Sequence, residues 1–269
     1  MLRRMAIWDV KSCFKPYYSI NWHAHHMFEQ GSPKWVEFRN AHGGIGASAA
    51  AAVLADAASS TVSRAQLRKK LRGEPSPEPS EYLKSIFKKG QDMEPILRDE
   101  LSAALGVPII ETGVFVEPEI GTFRWQGVDR SVPLSSSLDG LAIDWRTNTA
   151  CVVEFKYRMR PGAGWGPTRN NLGPTVWCQV QQQMRCSGCR FALIYVGSDP
   201  IMDGMPGDRN LWAVEYAPGY NNGMFPVYAK DFIRECSLPR IPRRESGLNA
   251  KVMLDLNTYM RNTVYKVDI

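Results

Sequence analysis

Two carboxylates and a lysine lie on short, mostly apolar segments in the middle of the sequence. Asp139 precedes Gly140 in SLDGLAIDW, and Glu154 and Lys156 stand two residues apart in ACVVEFKY. Residues two apart on a β-strand point to the same face, and charged groups inside an apolar strand cost free energy unless they pair or bind a metal. If the two segments pair as a hairpin through the turn at 146–149, Asp139 and Glu154 converge beside Lys156.

These groups suit the hydrolysis of phosphodiesters. Carboxylate oxygens are the hard ligands that hold Mg²⁺, with Mn²⁺ as a substitute, and such an ion polarises the phosphoryl group and lowers the pKa of a bound water. A neighbouring lysine can orient that water or neutralise charge that develops on the phosphate. The alternative is a structural salt bridge between Glu154 and Lys156, because the pattern D-x(n)-E-x-K is frequent by chance.

Two predicted helices carry further polar candidates. Glu94 lies near the start of a helix predicted over 90–106, beside its apolar stripe, where it could reach the end of a sheet. Gln179 and Gln183 lie one turn apart on the helix predicted to begin at Pro174, so they share a face. The alternatives are a glutamate favoured by the helix dipole and glutamines on the surface.

The segment WVEFRNAHGGIGAS contains Arg39 and then Ser48, which stands at a glycine-rich entry to a helix. Helix N-termini and arginine side chains bind phosphate readily. The segment is therefore a candidate phosphate site, and the alternative is that Arg39 pairs with Glu37 or another local acid and that Ser48 only caps the helix.

The remaining patterns indicate which elements position these residues. Hydrophobic spacing and turn residues predict helices over 43–58, 61–72, 90–106, 174–187 and 248–262, and strands over 109–117, 122–128, 137–145, 150–157, 191–197 and 211–217. Loops are predicted at 74–80, 158–174 and 198–210. This order predicts an α/β fold in which helices flank a mixed β-sheet. We expect one domain over 35–235, between an N-terminal extension (1–34) and a C-terminal extension (236–269).

Composition restricts the setting. The chain has 269 residues with a formal net charge of +6 and 44% hydrophobic residues, which allows a sizeable core and suits a polyanionic partner. No apolar run approaches the roughly 20 residues of a membrane span. Six scattered cysteines favour an intracellular, reducing compartment (cytoplasm, nucleus or virus factory), and an organellar transit peptide stays open. A metal site at Cys186 and Cys189 would need remote partners such as Cys13 and Cys236.

Taken in order, the motifs W-x3-R, IGAS, G-x3-E, S-x-DG, E-x-K and Q-V-Q-x2-M resemble those of the phage lambda exonuclease and YqaJ-type viral recombinase nucleases, which belong to the PD-(D/E)XK superfamily. The resemblance covers about Trp35 to Val196 and implies a restriction-endonuclease-like fold. It also implies a Mg²⁺-dependent 5′→3′ exonuclease that acts on linear double-stranded DNA in recombination or DNA processing. A ring-shaped homotrimer and a single-strand annealing protein as partner are further implications, and no membrane is expected.

The resemblance assigns a role to each matching residue. Asp139 and Glu154 would be metal ligands with Glu94 in support, and Lys156 would be the catalytic lysine. Gln179 would help to order the active site.

At the other end of the proposed site, Arg39 and Ser48 would contact the DNA 5′-phosphate. Asp129 lies where the exonuclease carries another acidic residue. The turn after Asp139 looks longer than in the phage enzyme, and Tyr157 replaces the common Cys-Pro.

Several rival functions stay open at this point. One group shares the fold: a structure-specific endonuclease, a Cas4-like nuclease or an RNA-cleaving relative, although the cysteine spacing does not resemble that of a Cas4-like iron–sulfur cluster. The others are a catalytically inactive DNA-binding module and a basic structural protein whose acidic residues form salt bridges.

Overall fold

A computed structural model describes residues 3–42, 44–55, 62–75, 77–158, 171–199, 207–239 and 246–269. The helices are α1 (Ile7–Val10), α2 (Pro33–His42), α3 (Ala50–Leu54), α4 (Arg64–Arg72), α5 (Glu81–Leu105), α6 (Pro174–Ser187), α7 (Phe225–Cys236) and α8 (Ser246–Thr263). The strands are β1 (Arg3–Ala6), β2 (Lys15–Pro16), β3 (His25–His26), β4 (Ile45–Gly46), β5 (Ile109–Ile110), β6 (Val114–Glu117), β7 (Thr122–Trp125), β8 (Val128–Ser131), β9 (Leu134–Ser137), β10 (Gly140–Asp144), β11 (Thr149–Arg158), β12 (Phe191–Ser198), β13 (Arg209–Glu215) and β14 (Val264–Asp268).

The main sheet has the strand order β1-β14-β13-β12-β11-β10-β5, with β2 paired to β11. The pairs β11–β12 and β1–β14 are parallel, whereas β10–β11, β12–β13, β13–β14 and β10–β5 are antiparallel. All residues of β12 are buried, as expected for a strand covered on both faces. The predicted restriction-endonuclease-like α/β fold, a mixed sheet flanked by helices, is confirmed.

Helices α5 and α6 cover opposite faces of this sheet. Leu97, Leu101 and Leu105 of α5 are buried in one core cluster, which includes Val153 and Phe155 of β11. The apolar face of α6 belongs to a second cluster, which includes Val152. Because side chains alternate along a strand, Glu154 and Lys156 lie on the same face as Val152, toward α6.

The chain crosses from one sheet to another just before β10. Strand β9 belongs to a second sheet of order β3-β6-β9-β4, and β7 and β8 form a separate hairpin. The predicted strand 137–145 therefore corresponds to β10, except that its first residue, Ser137, ends β9, and Asp139 lies at the crossing. The predicted strand 109–117 is divided in the same way, because β5 joins the main sheet and β6 joins the second one.

Other predicted elements differ at their ends. Helix α5 begins at Glu81, well before the predicted start, where the Ser80 side chain accepts a hydrogen bond from the Leu83 amide at 3.3 Å. It ends at Gly106 with φ 64°, the left-handed conformation expected of a glycine C-cap. In the glycine turn and helix predicted over 43–58, the described residues form β4, a 3₁₀ turn at Ala47–Ala49 and then α3, whereas residues 43 and 56–58 lie outside the described ranges.

Both terminal segments contribute strands, since β1 and β14 pair with each other and β14 pairs with β13. Most of the predicted loop 158–174, part of the loop 198–210 and residues 240–245 lie outside the described residues. Within the described ranges, no helix combines the length and the apolarity that a bilayer crossing requires.

The close approach of two strands at Gly140 yields a stability prediction. A Cβ atom there would lie 2.5 Å from Ile109 Cγ2, whereas a Cβ at Gly90 would meet no heavy atom within 4 Å. Gly140→Ala should therefore lower the free energy of unfolding by about 1–3 kcal/mol through overpacking. Gly90→Ala should raise it by about 0.5–1 kcal/mol because alanine favours a helix. Urea unfolding measures both, and equal stability of the two variants would contradict this account of β10.

Candidate active site

The hairpin of β10 and β11 brings the two predicted carboxylates together. Gly140 pairs with Val153, so Asp139 lies beside the backbone of the next residues of β11. The backbone N–H of Phe155 donates a hydrogen bond to Asp139 Oδ2 at 2.9 Å. The convergence of Asp139 and Glu154 therefore follows from the strand register, as the hairpin pattern predicted.

The Glu154 carboxylate is almost completely buried, with 1% of the residue exposed. Its Oε1 accepts hydrogen bonds from Lys156 Nζ and from Gln179 Nε2, the latter at 2.6 Å. Its Oε2 accepts a hydrogen bond from Gln183 Nε2, also at 2.6 Å. Three donors thus offset the cost of burying the carboxylate, and two of them come from one face of α6.

The closely spaced charges perturb one another. Burial raises the pKa of Asp139 well above its usual range, and the neighbouring Glu154 raises it further, while Lys156 opposes the shift. Burial alone would lower the pKa of Lys156, but Glu154 and Asp139 raise it above its ordinary value. Lys156 is therefore a permanent cation next to a carboxyl group that resists ionisation.

Glu94 approaches this group from α5. Burial raises its pKa, the Arg98 guanidinium lowers it, and Glu154 raises it. Arg98 Nη2 donates to Glu94 Oε1 at 2.8 Å and to the Asp139 carbonyl at 3.3 Å. Arg98 thereby links α5 to the crossing between the sheets. Arg98 was not among the residues predicted from the sequence, although its position one turn after Glu94 is the available signal.

Asp139 and Gln179 line a cleft of about 170 Å³ that also contains the predicted phosphate residues. The lining residues are Gln30, Trp35, Arg39, Gly46, Ala47, Ser48, Ser135, Ser137, Asp139 and Gln179. Arg39 lies over the Trp35 ring, with its Cζ 4.3 Å from the ring centroid. Ser48 is exposed between the buried residues Ala47 and Ala49. Acidic and basic candidates thus line the same cleft.

Several residues that line the cleft or support its walls were not predicted from the sequence. Gln182 donates from Nε2 to the carbonyls of Ile45 at 2.7 Å and Ser135 at 3.0 Å, so α6 also fixes the strands that form the cleft. Gln30 donates to the Leu138 carbonyl at 2.6 Å. The motifs S-x-DG and W-x3-R contained the signal for Ser137 and Trp35, but Gln30 precedes every recognisable motif.

Two other candidates lie away from the cleft. Asp129 is on the exposed β7–β8 hairpin, where its Oδ1 lies 3.5 Å from Arg124 Nε. Cys186 and Cys189 are buried, and burial raises their pKa values to about 12 and 11. Their environment favours thiols, whereas a metal ligand must be a thiolate.

The donor chemistry at Asp139, Glu154 and Glu94 fits a hard divalent cation. Asp139 Oδ1 has no hydrogen-bond partner within the described part of the chain, and Asp139 lines the cleft. Among the described residues, no three His, Cys, Asp or Glu side chains stand close enough together to hold an ion as they are placed. Three protein donors fill about three of the four acceptor positions of the Glu154 carboxylate, and from the described residues Oε2 accepts only the Gln183 bond, so one position at Oε2 stays open to a cation.

A family model for the YqaJ-like viral recombinase domain matches residues 34–190. The chain belongs to this family. The matched region includes every site residue selected from the sequence, from Arg39 to Gln179. No curated protein sequence matches the chain significantly.

Two solved structures illustrate how distant the structural neighbours of this YqaJ-like chain are. An alkaline exonuclease from Laribacter hongkongensis is 18% identical, with a TM-score of 0.48 over 84% of this chain and 97% of that chain. A phage-related exonuclease from Haemophilus somnus is 10% identical, with a TM-score of 0.44 over 79% of this chain and 96% of that chain.

The raised pKa of Asp139 predicts a pH-dependent penalty on stability. In the unfolded chain this carboxyl group ionises near its ordinary pKa of 3.8, but the fold disfavours ionisation, so the folded state binds more protons and stability falls as pH rises through this window. With EDTA present, Asp139→Asn should therefore be more stable than the wild type at pH 7, and the difference should shrink toward pH 4. Thermal unfolding at several pH values measures this difference, with Asp92→Asn as the control, because Asp92 is an exposed residue of α5. An Asp139→Asn protein that is less stable at pH 7 would contradict the prediction.

Proposed function

We propose that this protein is a Mg²⁺-dependent deoxyribonuclease that degrades linear double-stranded DNA from 5′ ends in viral-type recombination or DNA processing. The observation that carries the proposal is that Asp139, Arg39 and Ser48 line one cleft. Membership of the YqaJ-like viral recombinase family supports nuclease activity. The homotrimer and the annealing partner stay predictions from the resemblance.

Each side chain has a distinct task in this mechanism. Asp139 and Glu154 would hold the cation, with Glu94 in support, and a cation bound there supplies Lewis-acid polarisation of the phosphodiester. Lys156 stays protonated beside them, so it can stabilise charge on the phosphate or orient the attacking water. Gln179 and Gln183 hold the Glu154 carboxylate in place.

Other residues that line the cleft would position the DNA end. Arg39 presents a guanidinium that stacks on Trp35. Among the described residues it has no carboxylate partner, and it does not pair with Glu37. A planar, permanently charged donor of this kind suits a terminal phosphate. Ser48 and the strand-end serine Ser137 line the same cleft and offer hydroxyl donors.

The first prediction from this proposal tests the hydrolytic centre. Glu154→Ala should abolish cleavage of linear duplex DNA, and EDTA should do the same to the wild type. Lys156→Ala should lose about 10²–10³-fold in kcat, as expected on removal of a group that stabilises developing charge, while it keeps its affinity for DNA. Gel assays with end-labelled duplex and anisotropy binding measure these effects, with Asp92→Ala as the matched control. Full wild-type activity in EDTA would refute the metal-dependent mechanism.

The second prediction separates the processing of ends from internal cutting. A blunt duplex with 5′-phosphates should be degraded faster than one with 5′-hydroxyls, and closed circles should resist, because only an end can place a terminal phosphate at Arg39. Arg39→Gln should remove most of the preference and leave Mg²⁺ dependence intact. Single-turnover rates on matched substrates measure the preference. Rapid nicking of closed circles would favour an endonuclease instead.

A further inference from the structure

A second cleft of about 270 Å³ adjoins the candidate active site. The two clefts share Arg39, Gly46 and Ser48, whereas Asp139 lines only the first and Lys70 of α4 lines only the second. The order along the combined groove is therefore the carboxylate end, then Arg39, then Lys70.

Helix α4 presents Lys70 to this groove from a firmly held position. Leu67 is buried, and Arg64 and Arg72 donate to Glu235 Oε2 and to the Cys236 carbonyl of α7, each at 2.9 Å. Lys70 lies one turn after Gln66, which also lines the second cleft. The groove wall is thus the face of α4 opposite its anchored arginines.

Arg39 and Lys70 place two positive charges on one groove with no acidic partner among the described residues. Burial lowers the pKa of Lys70, and the charge of Arg39 lowers it further. Like charges that repel in this way are stabilised by an anion between them. A strand of nucleic acid supplies such anions at regular intervals, and Val62 and Pro77 give the second cleft an apolar wall suited to a sugar or base.

We propose that the second cleft binds the nucleotide on the 5′ side of the phosphate held by Arg39, with Lys70 contacting its phosphate. This inference rests on the proposed function, because it assigns a direction to the strand. The DNA end need not stop at Arg39. A strand with a single-stranded 5′ tail can continue into the second cleft, and cleavage then releases a product longer than one nucleotide.

Binding in EDTA tests the proposal without relying on catalysis. Fluorescence anisotropy compares blunt duplexes with duplexes that carry a short 5′ tail, at several KCl concentrations. The wild type should bind the tailed duplex several-fold more tightly than the blunt one. The slope of log K against log[salt] should be more negative by about 0.7 for the tailed duplex, the value for one added contact to a single-stranded phosphate. Lys70→Gln should lose this difference.

Lys69→Gln is the matched control, because it removes the same charge from the neighbouring residue of α4, which does not line the cleft. It should behave as the wild type on both duplexes. The proposal would be overturned if the wild type bound blunt and tailed duplexes equally. It would also be overturned if Lys69→Gln and Lys70→Gln lowered the affinity for the tailed duplex equally.

Cleavage assays with Mg²⁺ separate this inference from the proposed function. If wild-type protein cuts blunt duplexes but releases only mononucleotides from tailed ones, the second cleft does not hold the tail and the inference fails alone. If it cuts neither substrate, the proposed function fails, while the anisotropy result still decides whether Lys70 holds a 5′ tail.

Discussion

The burial of the Glu154 carboxylate is the constraint on which the site depends. A carboxylate in the middle of a buried strand is costly unless donors surround it, and Lys156, Gln179 and Gln183 supply those donors. The amide oxygens of Gln182 and Gln183 have no partner in the described part of the chain. In the orientation that points their N–H groups at Glu154 and at the cleft walls, these two side chains leave their amide oxygens without hydrogen bonds from described residues.

The same constraint explains why helix α6 is so polar for a buried helix. Gln181, Gln182 and Gln183 are almost fully buried, and each binds a different part of the molecule. Gln181 accepts from the Ala217 amide at 2.9 Å and donates to the Glu215 carbonyl at 2.8 Å, which fixes the end of β13. A run of glutamines that resembles a surface helix in the sequence is thus a set of internal connections.

The parts that were predictable from the sequence depend on short-range patterns. Strand alternation gave the shared face of Glu154 and Lys156, and the turn at 146–149 gave the pairing that brings Asp139 to them. Helix α6 was predicted with its observed bounds because Pro174 and the glycine after Ser187 mark its ends.

The unpredicted parts depend on contacts between distant segments. No local pattern shows that the chain changes sheets at Asp139, because only two residues separate the end of β9 from the start of β10. Gln30 reaches Leu138 across more than one hundred positions, and Arg98 joins α5 to Asp139. Such long-range hydrogen bonds leave no periodicity in the sequence.

One consequence follows from the way α6 is attached. It holds Glu154 through Gln179 and Gln183, and through Gln182 it holds β4 and β9, which carry the cleft walls next to Arg39 and Ser48. A displacement of this one rigid helix would move both ends of the cleft together. Under the proposed function, α6 would therefore help to set the distance between a phosphate at Arg39 and a cation at Asp139 and Glu154, and neither contact depends on the identity of the bases.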